Sequence, residues 1–192
     1  TLVATDGKRL SVTRLASNSE PTSVVLTSHI LDLLAAVDYP GPLMFLQSDQ
    51  HVFFQLGSRL LISRKSEQTF PAYERIIPHD HEKRACVDRQ VLAAALRRVG
   101  VVSEENQAAY FAFDQGVLSL SSSSAGIGEA DEQVAIQYDA EPLQVCCNWR
   151  YVLDFLEAAS GSAVTIALKN PVSPMPLTDG WDFLNVVMLM RA

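Results

Sequence analysis

Three stretches of the chain repeat apolar residues at helical spacing. Residues 27–37 put Ile30, Leu33, Leu34 and Val37 on one stripe behind Thr27 or Ser28 as caps. Residues 88–102 put Val91, Leu92, Ala95, Leu96 and Val99 on one face behind Asp88, and residues 148–159 gather Val152, Leu153, Leu156 and Ala159 behind Asn148. A helix with a single apolar stripe must lie on something. Elsewhere the pattern has a period of two. Val52–Leu56 and Arg59–Ser63 flank Gly57-Ser58, which predicts a hairpin with a primed turn. Tyr110–Phe113 and Val117–Leu120 form another around Asp114-Gln115-Gly116, and 132–138, 142–147, 163–168, 173–177 and 182–190 read as further strands. Strands outnumber helices and do not alternate with them, so the class is α+β with antiparallel sheets.

A repeat organises these elements. Leu31-Asp32-Leu33-Leu34-Ala35-Ala36 reappears, with one insertion, as Leu153-Asp154-Phe155-Leu156-Glu157-Ala158-Ala159, and Gly57 and Gly180 keep nearly the same offset. Each copy follows a short apolar segment expected to be a strand (Val24–Leu26; Leu143–Cys146). The polar, proline-marked stretch 65–84 separates them. The later unit, 84–192, is expected to hold two helices and about eight strands; 1–65 holds one helix and about six. The opening Thr1-Leu2-Val3-Ala4 reads like the inside of a strand, as in a fragment that continues upstream.

Composition narrows the function. A net charge of −7 argues against a surface made uniformly sticky for nucleic acid, so basic residues matter by position. Cys86, Cys146 and Cys147 make a poor disulfide framework, because neighbours in a strand point to opposite faces. Reduced cysteines and the lack of an export leader favour the cytoplasm. No apolar run approaches the ~20 residues of a membrane helix.

Four motifs then carry a family resemblance. Val3-Ala4-Thr5-Asp6-Gly7-Lys8-Arg9-Leu10, Phe70-Pro71-Ala72-Tyr73-Glu74-Arg75-Ile76-Ile77-Pro78, Asn148-Trp149-Arg150-Tyr151-Val152-Leu153-Asp154 and Val186-Val187-Met188-Leu189-Met190-Arg191 stand in order along the chain. They resemble segments of the bacterial sliding clamps, the beta subunit of DNA polymerase III. The resemblance implies a DNA-clamp fold: repeated modules of two helices packed on two antiparallel four-stranded sheets, the first module incomplete. Residues 1–70 would be the later half of the middle domain, 71–83 a connector and 84–192 a complete third domain. It further implies a non-catalytic processivity factor without cofactors, closing in full length as a homodimeric ring around duplex DNA. A ring is not expected of this chain alone, which lacks the first domain.

The resemblance implies two surfaces. A peptide groove, receiving linear motifs of the polymerase alpha subunit, the clamp loader and repair proteins, maps to Thr5, Gly7, Lys8, Arg9, Leu10, Pro71, Arg75, Ile76, Val172, Val186, Val187, Met188, Leu189, Met190 and Arg191. Methionines suit such a groove because they adapt to many side chains. Against the family pattern, Lys8 replaces a histidine, Leu189 replaces a proline, and Gln107 stands where some members carry an aromatic residue. Sequence-independent attraction to phosphates would fall to Arg89, Arg97, Arg98 and Arg150, with His29 on a helix otherwise poor in cations.

Three rival readings use other residues. His79-Asp80-His81-Glu82 offers metal-binding side chains of a metal-dependent hydrolase, but adjacent positions on an extended segment diverge, leaving a hydrated connector and no metal as the expectation. Ser121-Ser122-Ser123-Ser124 is expected to be a flexible loop without the elbow of a nucleophile, and Gly126-Ile127-Gly128 lacks the helix a phosphate loop needs. A purely structural α+β module would bind neither DNA nor peptide.

Overall fold

The computed structural model describes residues 1–14, 22–103, 106–180 and 182–191. They form β1 (Leu2–Thr5), β2 (Arg9–Thr13), α1 (Ser28–Ala35), β3 (Leu43–Gln47), β4 (His51–Leu56), β5 (Arg59–Arg64), β6 (Lys83–Asp88), α2 (Arg89–Val99), β7 (Ala108–Asp114), β8 (Val117–Ser124), β9 (Gly128–Ala135), β10 (Leu143–Asn148), α3 (Trp149–Ala158), β11 (Ala163–Leu168), β12 (Met175–Thr178) and β13 (Phe183–Val187). Two compact units result, Thr1–Ala16 with Tyr73–Ala192, and Ser17–Ala72.

In the larger unit one sheet runs β10-β7-β8-β9 and the other β1-β2-β13-β12-β11-β6. Alternation decides which residues face the core: Ala109, Phe111 and Phe113 on β7, and Leu118 and Leu120 on β8, are fully covered. The stripes of α2 and α3 close over them, with Leu92, Ala95, Leu96 and Val99 meeting Val152, Leu153, Phe155 and Leu156 in one cluster. Both helices start where the sequence predicts. The Asp88 carboxylate accepts from the N–H groups of Gln90 and Val91 at 2.9 Å, and the Asn148 side chain accepts from that of Arg150. Such caps satisfy donors that a helix start leaves orphaned.

In the smaller unit α1 covers one face of the sheet β3-β4-β5. Ile30, Val52, Phe54 and Leu56 form its core, with Leu34, Val37, Phe45 and Leu61 around them. Gly57 makes the β4–β5 turn at φ +60°, a conformation costly for a side-chain-bearing residue.

Several expectations change. Residues 1–16 group with the larger unit rather than with the rest of 1–70, because β2 hydrogen-bonds along β13 from Arg9↔Val187 to Phe183↔Thr13. The four strands β13-β12-β11-β6 of the expected module are present, and β2 and β1 add to their edge to make six. Ser121–Ser124 is no loop: it completes β8, paired with β9 out to Ser124↔Gly128, since a ladder needs backbone groups rather than apolar side chains. Ser122 points inward and its hydroxyl donates to the Ala108 carbonyl. Val24–Leu26 is not a strand, though the Val25 carbonyl accepts from Ser66 N–H. Val91 is 50% exposed and Leu33 41%, each a helical step off its stripe. Thr27 occupies the α1 cap position without a side-chain bond. The strand expected at 132–138 starts earlier, at Gly128, and Gln137 instead bridges to Cys86 on β6.

Candidate functional site

The β1–β2 turn is built by its own side chains. The Thr5 hydroxyl accepts from Gly7 N–H and donates to the Arg9 carbonyl at 2.7 Å. One Asp6 oxygen accepts from the N–H groups of Lys8 and Arg9, both at 2.9 Å. Gly7 supplies the left-handed step at φ +81°. The Arg9 guanidinium bonds the other Asp6 oxygen at 3.0 Å, reaches Asp154 of α3 at 2.5 Å, and lies 4.5 Å above the Tyr151 ring. Partial burial pulls the Asp6 carboxyl upward, but the bonds from Lys8 and Arg9 outweigh it and hold the group below its ordinary value. Desolvation likewise lowers Arg9 less than its two carboxylates raise it.

Against this turn runs the end of the chain. Leu10 pairs with Val186 and Arg9 with Val187, and the Met188 N–H then donates to the Lys8 carbonyl at 2.9 Å. Val187 faces the core with Met175 and Leu177, whereas Leu10, Val186 and Pro176 alternate onto the opposite face of the sheet. Leu10 is 2% exposed, so its side chain is covered and offers no open contact. Met188 is 41% exposed; Leu189 turns back against the core, and the Met190 N–H donates to the Cys146 carbonyl on β10.

Thr5, Gly7, Lys8, Arg9 and Leu10 are therefore brought together with Val186, Val187 and Met188. Arg75 and Ile76 follow on a single turn of tight helix, Tyr73–Arg75, with Ile76 39% exposed. Val172 stands exposed on a turn whose N–H groups bond the Asn170 side chain, and Arg191 is exposed at the end of the described chain. Pro71 belongs to the smaller unit. Gln107 holds φ +53°, and its carbonyl accepts from Trp149 N–H at the start of α3. Sequence reasoning missed Asp6, Tyr151 and Asp154 as parts of this arrangement. The Asp-Gly pair signalled the turn, but nothing local signals a partner for Arg9 that is 145 residues away.

The expected DNA-facing cations are not equivalent. Arg89 is occupied within the fold, donating to the Leu156 carbonyl at 2.9 Å and the Gly161 carbonyl at 2.7 Å, where α3 ends. Arg97 pairs with Glu157 at 2.8 Å, and Arg98 forks onto Glu132 at 2.5 and 3.1 Å. Arg150 is exposed, 5.0 Å over the Trp149 ring. His29 is exposed on α1 of the smaller unit. The 79–82 run does not stay hydrated throughout: His81 is buried, its Nε2 lying 2.8 Å from the Pro174 carbonyl. Its Nδ1 lies 3.4 Å from Asp80. Asp80 also pairs with Lys169. Among the described residues no group of three His, Cys, Asp or Glu side chains could hold a metal ion, and no helix is long and apolar enough to cross a membrane.

Known proteins resemble this chain in sequence and in fold. The family model for the C-terminal domain of the DNA polymerase III beta subunit matches residues 74–191. The beta sliding clamp of Caulobacter vibrioides is 31% identical over 186 residues, 94% of this chain and 50% of that protein. The one from Treponema pallidum is 30% identical over 98% of this chain and 54% of its own length. Among solved structures, a sliding clamp (DNA polymerase III subunit beta) from Bartonella birtlesii bound to griselimycin superposes with a TM-score of 0.90 at 29% identity, over 99% of this chain and 54% of that one. The chain thus spans about half the length of the curated relatives it matches. It belongs to the family of the bacterial beta sliding clamps, the beta subunits of DNA polymerase III.

Proposed function

We propose that this chain is the partner-binding half of a cytoplasmic processivity clamp. It takes up linear peptides of the polymerase alpha subunit, the clamp loader and other replication and repair proteins, while the full-length homodimer encircles duplex DNA. It performs no catalysis of its own and needs no cofactor. The observation that carries the reading is the junction of β2 with β13. Leu10 and Val186 make a covered apolar layer there, the half-exposed Met188 stands at its edge, and Lys8 and Arg191 are exposed on the same two segments. An apolar layer with a few convergent polar groups is what a short peptide anchor requires, and cations at the rim favour acidic or amide-rich sequences. Thr5, Gly7, Arg9, Arg75, Ile76, Val172, Val187, Leu189 and Met190 complete the proposed groove on the larger unit. On the three-domain plan that the resemblance implies, residues 1–70 would belong to the middle domain, 71–83 to a connector and 84–192 to the third.

For DNA, Arg150 is the best placed of the proposed cations, being exposed and stacked on an aromatic ring rather than spent on the fold. Arg97 and Arg98 would exchange carboxylates for phosphates, which exposed ion pairs allow because each contributes little. Arg89 holds α3, so its removal would act through stability. Fluorescence polarisation with an acetylated, labelled Gln-Leu-x-Leu-Phe peptide tests the reading. Met190→Ala should weaken binding about tenfold, the equivalent of ~1.4 kcal/mol. Absence of any saturable binding would favour a purely structural module.

A further inference from the structure

The β1–β2 turn is shaped by Thr5, Asp6 and Gly7, but those residues fix only its curvature. Its position depends on where the turn is tied. One tie is to the residue that follows β13, through the Met188 N–H on the Lys8 carbonyl. The other is to α3. Arg9 and its cross-strand neighbour Val187 point to the helix side of the sheet, where the guanidinium bonds Asp154 at 2.5 Å and covers Tyr151, nearly one turn earlier on the helix. A single guanidinium thus fastens turn, strand and helix. Arginine suits this because its planar fork presents several donors in fixed directions, so two carboxylates determine where the plane lies. Asp6 moves with the turn and cannot anchor it. Asp154 stands on a ten-residue helix whose apolar stripe is sealed in the main core, and does not move with it.

We propose that Asp154 is a positioning residue of the peptide groove. It touches no peptide, but through Arg9 it sets the height of the Lys8 carbonyl and hence the seat of Met188. The proposal rests on the peptide-binding reading above and adds the carboxylate that its contact residues lack. Without Asp154 the guanidinium keeps Asp6 and the Tyr151 ring but loses its ion pair with the helix, so the turn is held less firmly and the Lys8 carbonyl shifts away from the Met188 N–H.

The test uses the chain as it stands, the labelled Gln-Leu-x-Leu-Phe peptide, and amide exchange followed by NMR. Asp154→Ala removes an exposed carboxylate and inserts the best helix former, so α3 itself is not weakened. Affinity should fall about fivefold, or ~1 kcal/mol, and the Met188 amide should exchange faster while amides of β7 and β8 do not change. Asp154→Glu, which restores the charge, should return affinity to within about twofold, an amount near 0.4 kcal/mol. A purely structural role would instead speed exchange across the core and show no such rescue. Met188→Ala is the control for the groove. If it weakens binding while Asp154→Ala leaves both affinity and Met188 exchange unchanged, the positioning role is overturned. If Met188→Ala itself changes nothing, the groove is misassigned and the proposal falls with it.

Discussion

Gly100→Ala sets two opposed effects against each other in one methyl group. Gly100 ends α2 at φ −67° and ψ −15°, a conformation alanine adopts freely. By backbone entropy alone the change would therefore stabilise the protein, by about 0.4–1 kcal/mol. The space is already taken, however. A Cβ at this position would meet three atoms of the Trp149 ring at 2.4, 2.5 and 2.7 Å, separations real carbons do not reach. The indole has little freedom to withdraw: Trp149 is buried in the main cluster, and its Nε1 donates to the Ser103 hydroxyl at 2.9 Å. Overpacking of this kind costs about 1–3 kcal/mol, and displacing the indole also strains a hydrogen bond of ~0.5–1.5 kcal/mol. Destabilisation wins, by about 1–3 kcal/mol, a fall in Tm of roughly 2–12 °C for a chain of this size. Chemical denaturation followed by tryptophan emission measures it. On a Trp149→Phe background, where the second ring of the indole is gone, the same alanine should be nearly neutral, with a coupling of about 1 kcal/mol or more. A Gly100→Ala protein more stable than the parent would refute the steric argument.

Other residues give shorter tests. Neutralising Glu132 and Glu157 together to Gln frees Arg98 and Arg97, so duplex binding by anisotropy should tighten about two- to tenfold and weaken again with salt; a control neutralising Glu67 and Asp139 should do less, and equal effects would contradict the proposed face. The Asp6 carboxyl is held below its ordinary value of 3.8, so the stability it lends the turn is present above that pH and is lost as pH falls through the lower folded value. The Lys8 amide should accordingly stay protected from neutral pH down to about 4, and loss of protection above pH 5 would contradict the bond pattern. Cys147 is fully buried, which pushes its thiol far up from the ordinary range; since the thiolate is the reactive form, alkylation with mass-spectrometric readout should modify it only on unfolding.

How far the sequence was legible depended on the range of the interactions. α2 and α3 were readable because Asp88 and Asn148 cap within three residues and the stripes behind them are dense. α1 was less so, since Leu31 and Leu33 break its stripe and Thr27 forms no side-chain cap bond. The serine run misled because its ladder is a backbone property supplied by β9, to which its composition is indifferent. The groove residues were legible only as motifs. That β2 would join β13, that Arg89 would be consumed at the end of α3, and that Arg97 and Arg98 would find Glu157 and Glu132 all depend on approaches between distant segments that no local pattern encodes.

The central claim is that the β2–β13 junction receives a peptide. Its most direct test is a titration of the isotope-labelled chain with the Gln-Leu-x-Leu-Phe peptide, following backbone amide shifts. Saturable shifts concentrated at residues 5–10, 75–76, 172 and 186–191, with the β9 hairpin at 125–129 unmoved, are the expected result. Saturable shifts confined to other parts of the chain, or none at millimolar peptide, would contradict it.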